Sequence, residues 1–246
     1  MKPILFFLTL LLFFSCKEDK QEILAAQNIV DKSIAVSGGE KFNNSKIDFD
    51  FRDKHYHAKR INGEFELVRT FKDSVKKVTD FLTNKGFERY VNNKKMEVPD
   101  SLAKLYSASV NSVHYFSVLP YGLNDKAVVK ELLGETTIDN TDYYKVKVTF
   151  EQDGGGEDFE DVFVYWVNKQ TYKIDYLAYS YEEDDDRGLR FREAYNERYV
   201  NGLRFVDYNN YKPKSSNTNV FELDDLFKNG KLELLSKIEL KNISVD

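Results

Sequence analysis

The chain has 246 residues, a formal net charge of −5, 41% hydrophobic and 31% charged residues, and a single cysteine. Such a length suits one all-β or α+β domain with its own hydrophobic core, which must hold the fold because no disulfide is available. The mildly acidic balance argues against a nucleic-acid surface, and no polybasic segment is present to hold anionic lipid headgroups.

Tyrosine (16) and phenylalanine (19) crowd a chain with one tryptophan and four prolines. Wide rings pack well on a pleated, half-buried surface, so this composition favours strands. It is read as core material first, although a cup for an apolar ligand uses the same residues.

Taken from the start, Lys2 leads into an apolar run, Ile4 to Phe14, then Ser15 and the only cysteine, Cys16. The run is shorter than the ~18 residues needed to cross a bilayer as a helix, and reads as a secretory signal. Residues 1–15 are therefore assigned to a signal peptide, 16–22 to a polar tether, and 23–246 to a single domain.

From Ile23 to Val36, Ala26, Ile29, Val30, Ser33 and Ile34 share one helical face, and Gly38-Gly39 caps its end. Short strand-type runs then extend from Lys46 to Val91, with Asn62-Gly63 as the strongest hairpin signal. Pro99 opens a second helix. Leu102, Leu105, Tyr106, Val113 and Phe116 recur at helical spacing until Pro120. Beyond it, Tyr144, Val146, Val148 and Phe150 alternate with polar residues, as in a strand with one buried face. Val162 to Val167 is apolar on both faces, which places it in mid-sheet. Strands over 172–181, 189–200 and 203–211 continue the meander, with Asn201-Gly202 as a tight turn. A short apolar segment, 223–227, and a last strand, 232–243, complete the chain. The predicted fold class is α+β, mainly antiparallel: a large curved sheet, or incomplete barrel, wrapping two helices.

The junction Ser15-Cys16-Lys17-Glu18-Asp19 resembles that of a bacterial lipoprotein, although Phe13 and Phe14 depart from the strict pattern of that family. The resemblance implies that Cys16 receives diacylglycerol and becomes the mature N-terminus, so that the membrane is a partner through the lipid. In lipoproteins of the bacteroidete type, a lysine followed by two acidic residues is similar to a surface-export signal. Lys17, Glu18 and Asp19 match it, which implies an outer-membrane protein facing outward. The body resembles the lipoprotein-carrier fold. The features that carry this are the helix ending in Gly38-Gly39, the strand 46–52 directly after it, and the late hairpin 162–181. That resemblance implies an apolar cavity for acyl chains.

Candidate catalytic groups are weak. His55 and His57 share a strand face with a spacing open to a transition metal, but no third ligand is evident, and His114 lies on the second helix. Gly154-Gly155-Gly156 is flanked by acids where a phosphate cradle needs a helix N-terminus. The run Glu182 to Asp186 lacks the spaced ligands of a calcium loop. No G-x-S-x-G elbow is present. The expectation is a lipid-binding envelope lipoprotein, not an enzyme, with no cofactor or metal. Its cavity is expected to be lined by Leu102, Leu105, Tyr106, Val113, Phe116 and Trp166. An envelope structural or interaction protein without a ligand, and an enzyme with an unrecognised site, stay as alternatives; protein partners are not legible.

Overall fold

The computed structural model describes residues 15–153, 159–183, 186–215 and 218–246, with side chains from residue 25 onward and excluding those of 182–187. The apolar run 4–14, Gly154-Gly155-Gly156 with Glu157 and Asp158, and Asp184-Asp185 lie outside the described residues. Of Cys16, Lys17, Glu18, Asp19 and the remaining members of the acidic run, only the backbone is described.

Two seven-stranded antiparallel sheets make up the body. The first is a meander of β1 (Asn44–Phe51), β2 (Lys54–Ile61), β3 (Glu64–Asp73), β4 (Lys76–Thr83), β5 (Gly86–Val91) and β6 (Lys94–Met96). The second runs from β7 (Val128–Ile138) and β8 (Thr141–Phe150) through β9 (Val162–Asn168), β10 (Ile174–Glu183), β11 (Asp186–Val200) and β12 (Leu203–Pro213) to β13 (Leu232–Ile238). After Glu239 the chain continues as β14 (Leu240–Val245), which leaves β12 and pairs with β1. The predicted single last strand is thus divided between the sheets. The predicted α+β incomplete barrel is built from two sheets, with β13 in one and β14 in the other, and they do not close into a barrel.

The break has its own hydrogen bonds. Asp207, almost fully buried, accepts from the Leu240 backbone N–H (2.9 Å), from Arg198 (2.9 Å) and from Asn196 (2.6 Å). Arg198 also donates to the Leu240 carbonyl (2.7 Å). Side chains there replace ladder bonds that the strand gives up in changing sheets, leaving those backbone groups satisfied.

Helix α1 (Ser15–Ser37) begins earlier than the predicted start at Ile23, because residues 15–22 hold no helix breaker and are rich in good helix formers. The segment assigned to a tether is therefore helical. Ala26, Ile29 and Val30 of α1 pack into the concave face of the second sheet with Val146, Val148 and Leu177. Helix α2 (Asp100–Ser117) lies over the first sheet, and its fully buried stripe is Val110, His114 and Ser117. The short helix α3 (Leu223–Lys228) covers the opposite face of the second sheet, where Trp166, Phe191, Val164 and Leu223 are fully buried. Strand β9 is thereby apolar on both sides for the reason predicted: Phe163, Tyr165 and Val167 face α1 and α2, while Val164 and Trp166 face α3.

Candidate functional site

The apolar wall of the molecule opens where the sheets part. Phe51 ends β1, Ile238 ends β13 and Leu240 begins β14; all three border a cavity of 420 Å³. The last turns of α2 roof it with Val113, Phe116 and Ser117. Phe163, Tyr179, Val206 and Tyr208 from β9, β10 and β12 form the floor. The size falls within the ~300–1,000 Å³ usual for small-molecule sites.

Ring contacts shape this wall. Phe163 is stacked near Tyr179 with centroids 5.4 Å apart, and Phe116 leans on both at 6.2 and 5.4 Å. Tyr115 reaches past the cavity to bond Tyr165 between hydroxyls at 2.9 Å, and burial pushes both phenols upward from the ordinary range. The rings of the wall are thus held by neighbours and do not fill the space between them. Tyr181 lies across Gly188 on the neighbouring strand, so a Cβ at Gly188 would collide with its ring.

One cation sits among these rings. Arg192, on β11, is 7% exposed; its Nη2 donates to the Tyr179 hydroxyl at 2.7 Å, and its guanidinium lies 3.9 Å from the centre of the Phe116 ring. It borders the cavity and was not among the residues expected there.

Of the residues expected to line the cavity, Val113 and Phe116 do. Leu102 and Leu105 are exposed, at 41% and 62%. Their spacing marks a helical stripe, but the core stripe of α2 is rotated to Val110, His114 and Ser117, whose polar members conceal it. Tyr106 instead lies against Arg89, 3.6 Å from ring centre to guanidinium, and faces Phe87. Trp166 is fully buried on the far side of the second sheet, packed on Phe191, because alternation along β9 points it away from Phe163 and Tyr165.

A second cleft, of 470 Å³, lies on the other flank of α2 and includes Arg60, His114, Tyr121 and Asp125. His114 there is a core residue. Nε2 donates to the Val68 carbonyl at 3.2 Å, and the ring meets Phe49 and Tyr56 edge-on. Burial, helped by the nearby Arg60 charge, lowers its pKa to about 3, so the ring stays neutral.

His55 and His57 project from the outer face of the first sheet and each pairs with a carboxylate: Nδ1 of His55 with Asp50 and Nδ1 of His57 with Asp48, both at 2.9 Å. Among the described residues no group of three or more His, Cys, Asp or Glu is arranged to hold a metal.

Fold and site together define an open, two-sheet α+β half-barrel with an aromatic cavity at its seam. The chain belongs to the family of unknown function DUF6503, whose profile matches residues 2–240. No curated protein matches it. Among solved structures it is similar to a DUF1329 family protein from Desulfovibrio piger, with a TM-score of 0.54 at 13% identity, covering 92% of this chain and 93% of that one. A LolA superfamily protein from Nitrosomonas europaea gives a TM-score of 0.47 at 12% identity, with 90% and 91% covered. The first likeness establishes a shared fold; it carries nothing about activity. No helix among the described residues is long and apolar enough to cross a membrane.

Proposed function

We propose that this protein is a lipid-anchored envelope lipoprotein that binds an acyl chain, or another apolar ligand, in the seam cavity. The observation that carries the reading is the cavity itself: 420 Å³ walled by Val113, Phe116, Phe163, Tyr179, Val206 and Ile238, several of them only partly buried. Apolar side chains left accessible inside a molecule that buries its other aromatics well mark a binding site more often than a packing fault. Most of the described residues that border this space are apolar or aromatic, which supports binding of an apolar chain.

Anchoring rests on the sequence. The apolar run ending at Ser15-Cys16 supports acylation of Cys16, and Lys17, Glu18 and Asp19 support display on the outer surface of the outer membrane. Metabolic labelling with a fatty-acid probe is expected to mark the protein, and Cys16→Ala to abolish the label. Replacing Lys17, Glu18 and Asp19 with alanine is expected to reduce cleavage by protease added to intact cells while leaving the melting temperature unchanged.

Native mass spectrometry of the protein purified from its own envelope tests the binding reading. A co-purifying mass of lipid size is the expected result. Ligand-free protein in every preparation, together with a core-sized loss of stability when the wall is trimmed, would favour a structural envelope protein.

A further inference from the structure

Resting on the reading of the seam cavity as an acyl-chain site, we propose that its ligand is a single-chain amphiphile with an anionic headgroup, and that Arg192 receives that headgroup. Other well-buried arginines of the molecule are neutralised by acids. Arg69 pairs with Asp80 at 2.7 Å and Arg204 with Glu197 at 2.5 Å. Arg60, which has no such pair among the described residues, has the Asp125 charge near it.

Arg192 differs. More than nine-tenths of it is buried, and among the described residues Nε is without a hydrogen-bond partner and the one side-chain hydrogen bond is to the Tyr179 hydroxyl. A guanidinium carries five N–H donors and keeps its charge in any protein environment. What surrounds it is the rings of Phe116, Tyr179 and Tyr208, 3.9, 5.0 and 6.0 Å from their centres. Ring faces attract a cation, but among the described residues the Tyr179 hydroxyl alone accepts from the fork, and Nε is left without an acceptor. Burial of a charge without a counter-ion is costly and persists where a function requires it. The one acid of the cavity wall among the described residues is Asp161, which has interactions of its own.

The chemistry that completes this site is a carboxylate or phosphate, each matched to a guanidinium in a bidentate fashion. An apolar chain lying along Val113, Val206 and Ile238 would place such a group at Arg192 while burying its tail. Two sources share that chemistry, a fatty-acid carboxylate and a phosphate-headed lipid.

Isothermal titration of the full chain carrying Cys16→Ser, with ligands below their micelle concentrations, tests this directly. Decanoate is expected to bind at least ten-fold more tightly than methyl decanoate. Arg192→Met is expected to erase that preference by weakening decanoate alone, and Arg192→Lys to weaken it in part. Decyl phosphate ranked against decanoate identifies which source the site prefers, and acetate and inorganic phosphate without a chain are expected not to bind. Equal binding of acid and ester by the unaltered cavity would overturn the headgroup assignment and leave the acyl-chain reading standing; this comparison needs no Arg192 variant to fold. Binding of no amphiphile at all would remove both.

Discussion

The two sheets have the same strand number, and each is a meander but for β14 beside β1, yet they bury their residues differently. The second is covered on both faces, by α1 and the end of α2 on one side and by α3 on the other, and its interior strand β9 is apolar on both faces from Val162 to Val167. The first is covered on one face only, by α2 together with Phe42 and the β12 residues Leu203 and Phe205, and its outer face carries His55, His57, Asp48 and Asp50 in mutual hydrogen bonds. Its inner stability also leans on charge: Asp80, with no solvent exposure, is held between Arg69 (2.7 Å) and Arg89 (2.6 Å). One sheet is a two-sided aromatic core; the other is a one-sided sheet pinned by a buried ion triad. Their unlike surfaces meet where Leu203 and Phe205 of β12 pack against β1 and where the chain passes from β13 to β14, and the cavity opens beside that junction.

The sharpest way to break this comparison is to injure each sheet at its own support. Trp166→Ala in the two-sided core is expected to cost about 3–5 kcal/mol in denaturant unfolding, as for other large buried aromatics. Asp80→Ala is expected to cost a similar ~3–5 kcal/mol, because it leaves two arginines buried without their acid. If either variant unfolds at the wild-type denaturant midpoint, that sheet is not held as described.

Acid should act on the first sheet through His114. Its folded pKa, about 3, lies below the ordinary histidine value of 6.5, so the unfolded chain takes up the proton first as pH falls. Stability contributed by the neutral ring is complete above pH 6.5 and is lost below it, with a slope of about 1.4 kcal/mol per pH unit. Comparing wild type with His114→Gln between pH 7 and 5 is expected to show a shallower acid slope in the variant. Parallel slopes would mean that His114 is not buried as described.

Smaller effects separate the cavity wall from the core. Val113→Ala, at the edge of a space already open, is expected to cost less than about 1 kcal/mol, below the ~2–5 kcal/mol typical of deleting a fully buried aliphatic side chain. Leu105→Ala is expected to fall within about 0.5 kcal/mol of wild type, because the side chain is mostly in solvent. A core-sized loss at Val113 would mean that the cavity closes in solution.

The same contrast explains what the amino-acid sequence made legible. Asn62-Gly63 and Asn201-Gly202 announced their turns, and both pairs have the positive φ angles such turns require: 53° and 83°, 47° and 81°. The double-faced run 162–167 announced the covered sheet. Strand β7 stayed silent because a bulge between Leu132 and Gly134 breaks the two-residue period. The buried face of α2 was hidden because His114 and Ser117, which donate to the Val68 and His114 carbonyls, serve as core while reading as surface. The division of the last strand at Glu239 depends on Asp207 and Arg198, more than thirty residues away in the chain, and has no local mark. Arg192 was illegible for the same reason: in sequence it is one more charge in a polar strand, and only the fold surrounds it with rings.

The central claim is that an acyl chain occupies the seam between the sheets, and a decanoate spin-labelled on its chain tests it most directly. Methyl resonances of the full chain carrying Cys16→Ser would be followed as the labelled ligand is added. The account predicts strong broadening of Val113, Val206 and Ile238, with Val164 and Leu223 on the α3 side left sharp. Broadening centred on the α3 side, or none at ligand concentrations well above those of the protein, would contradict it.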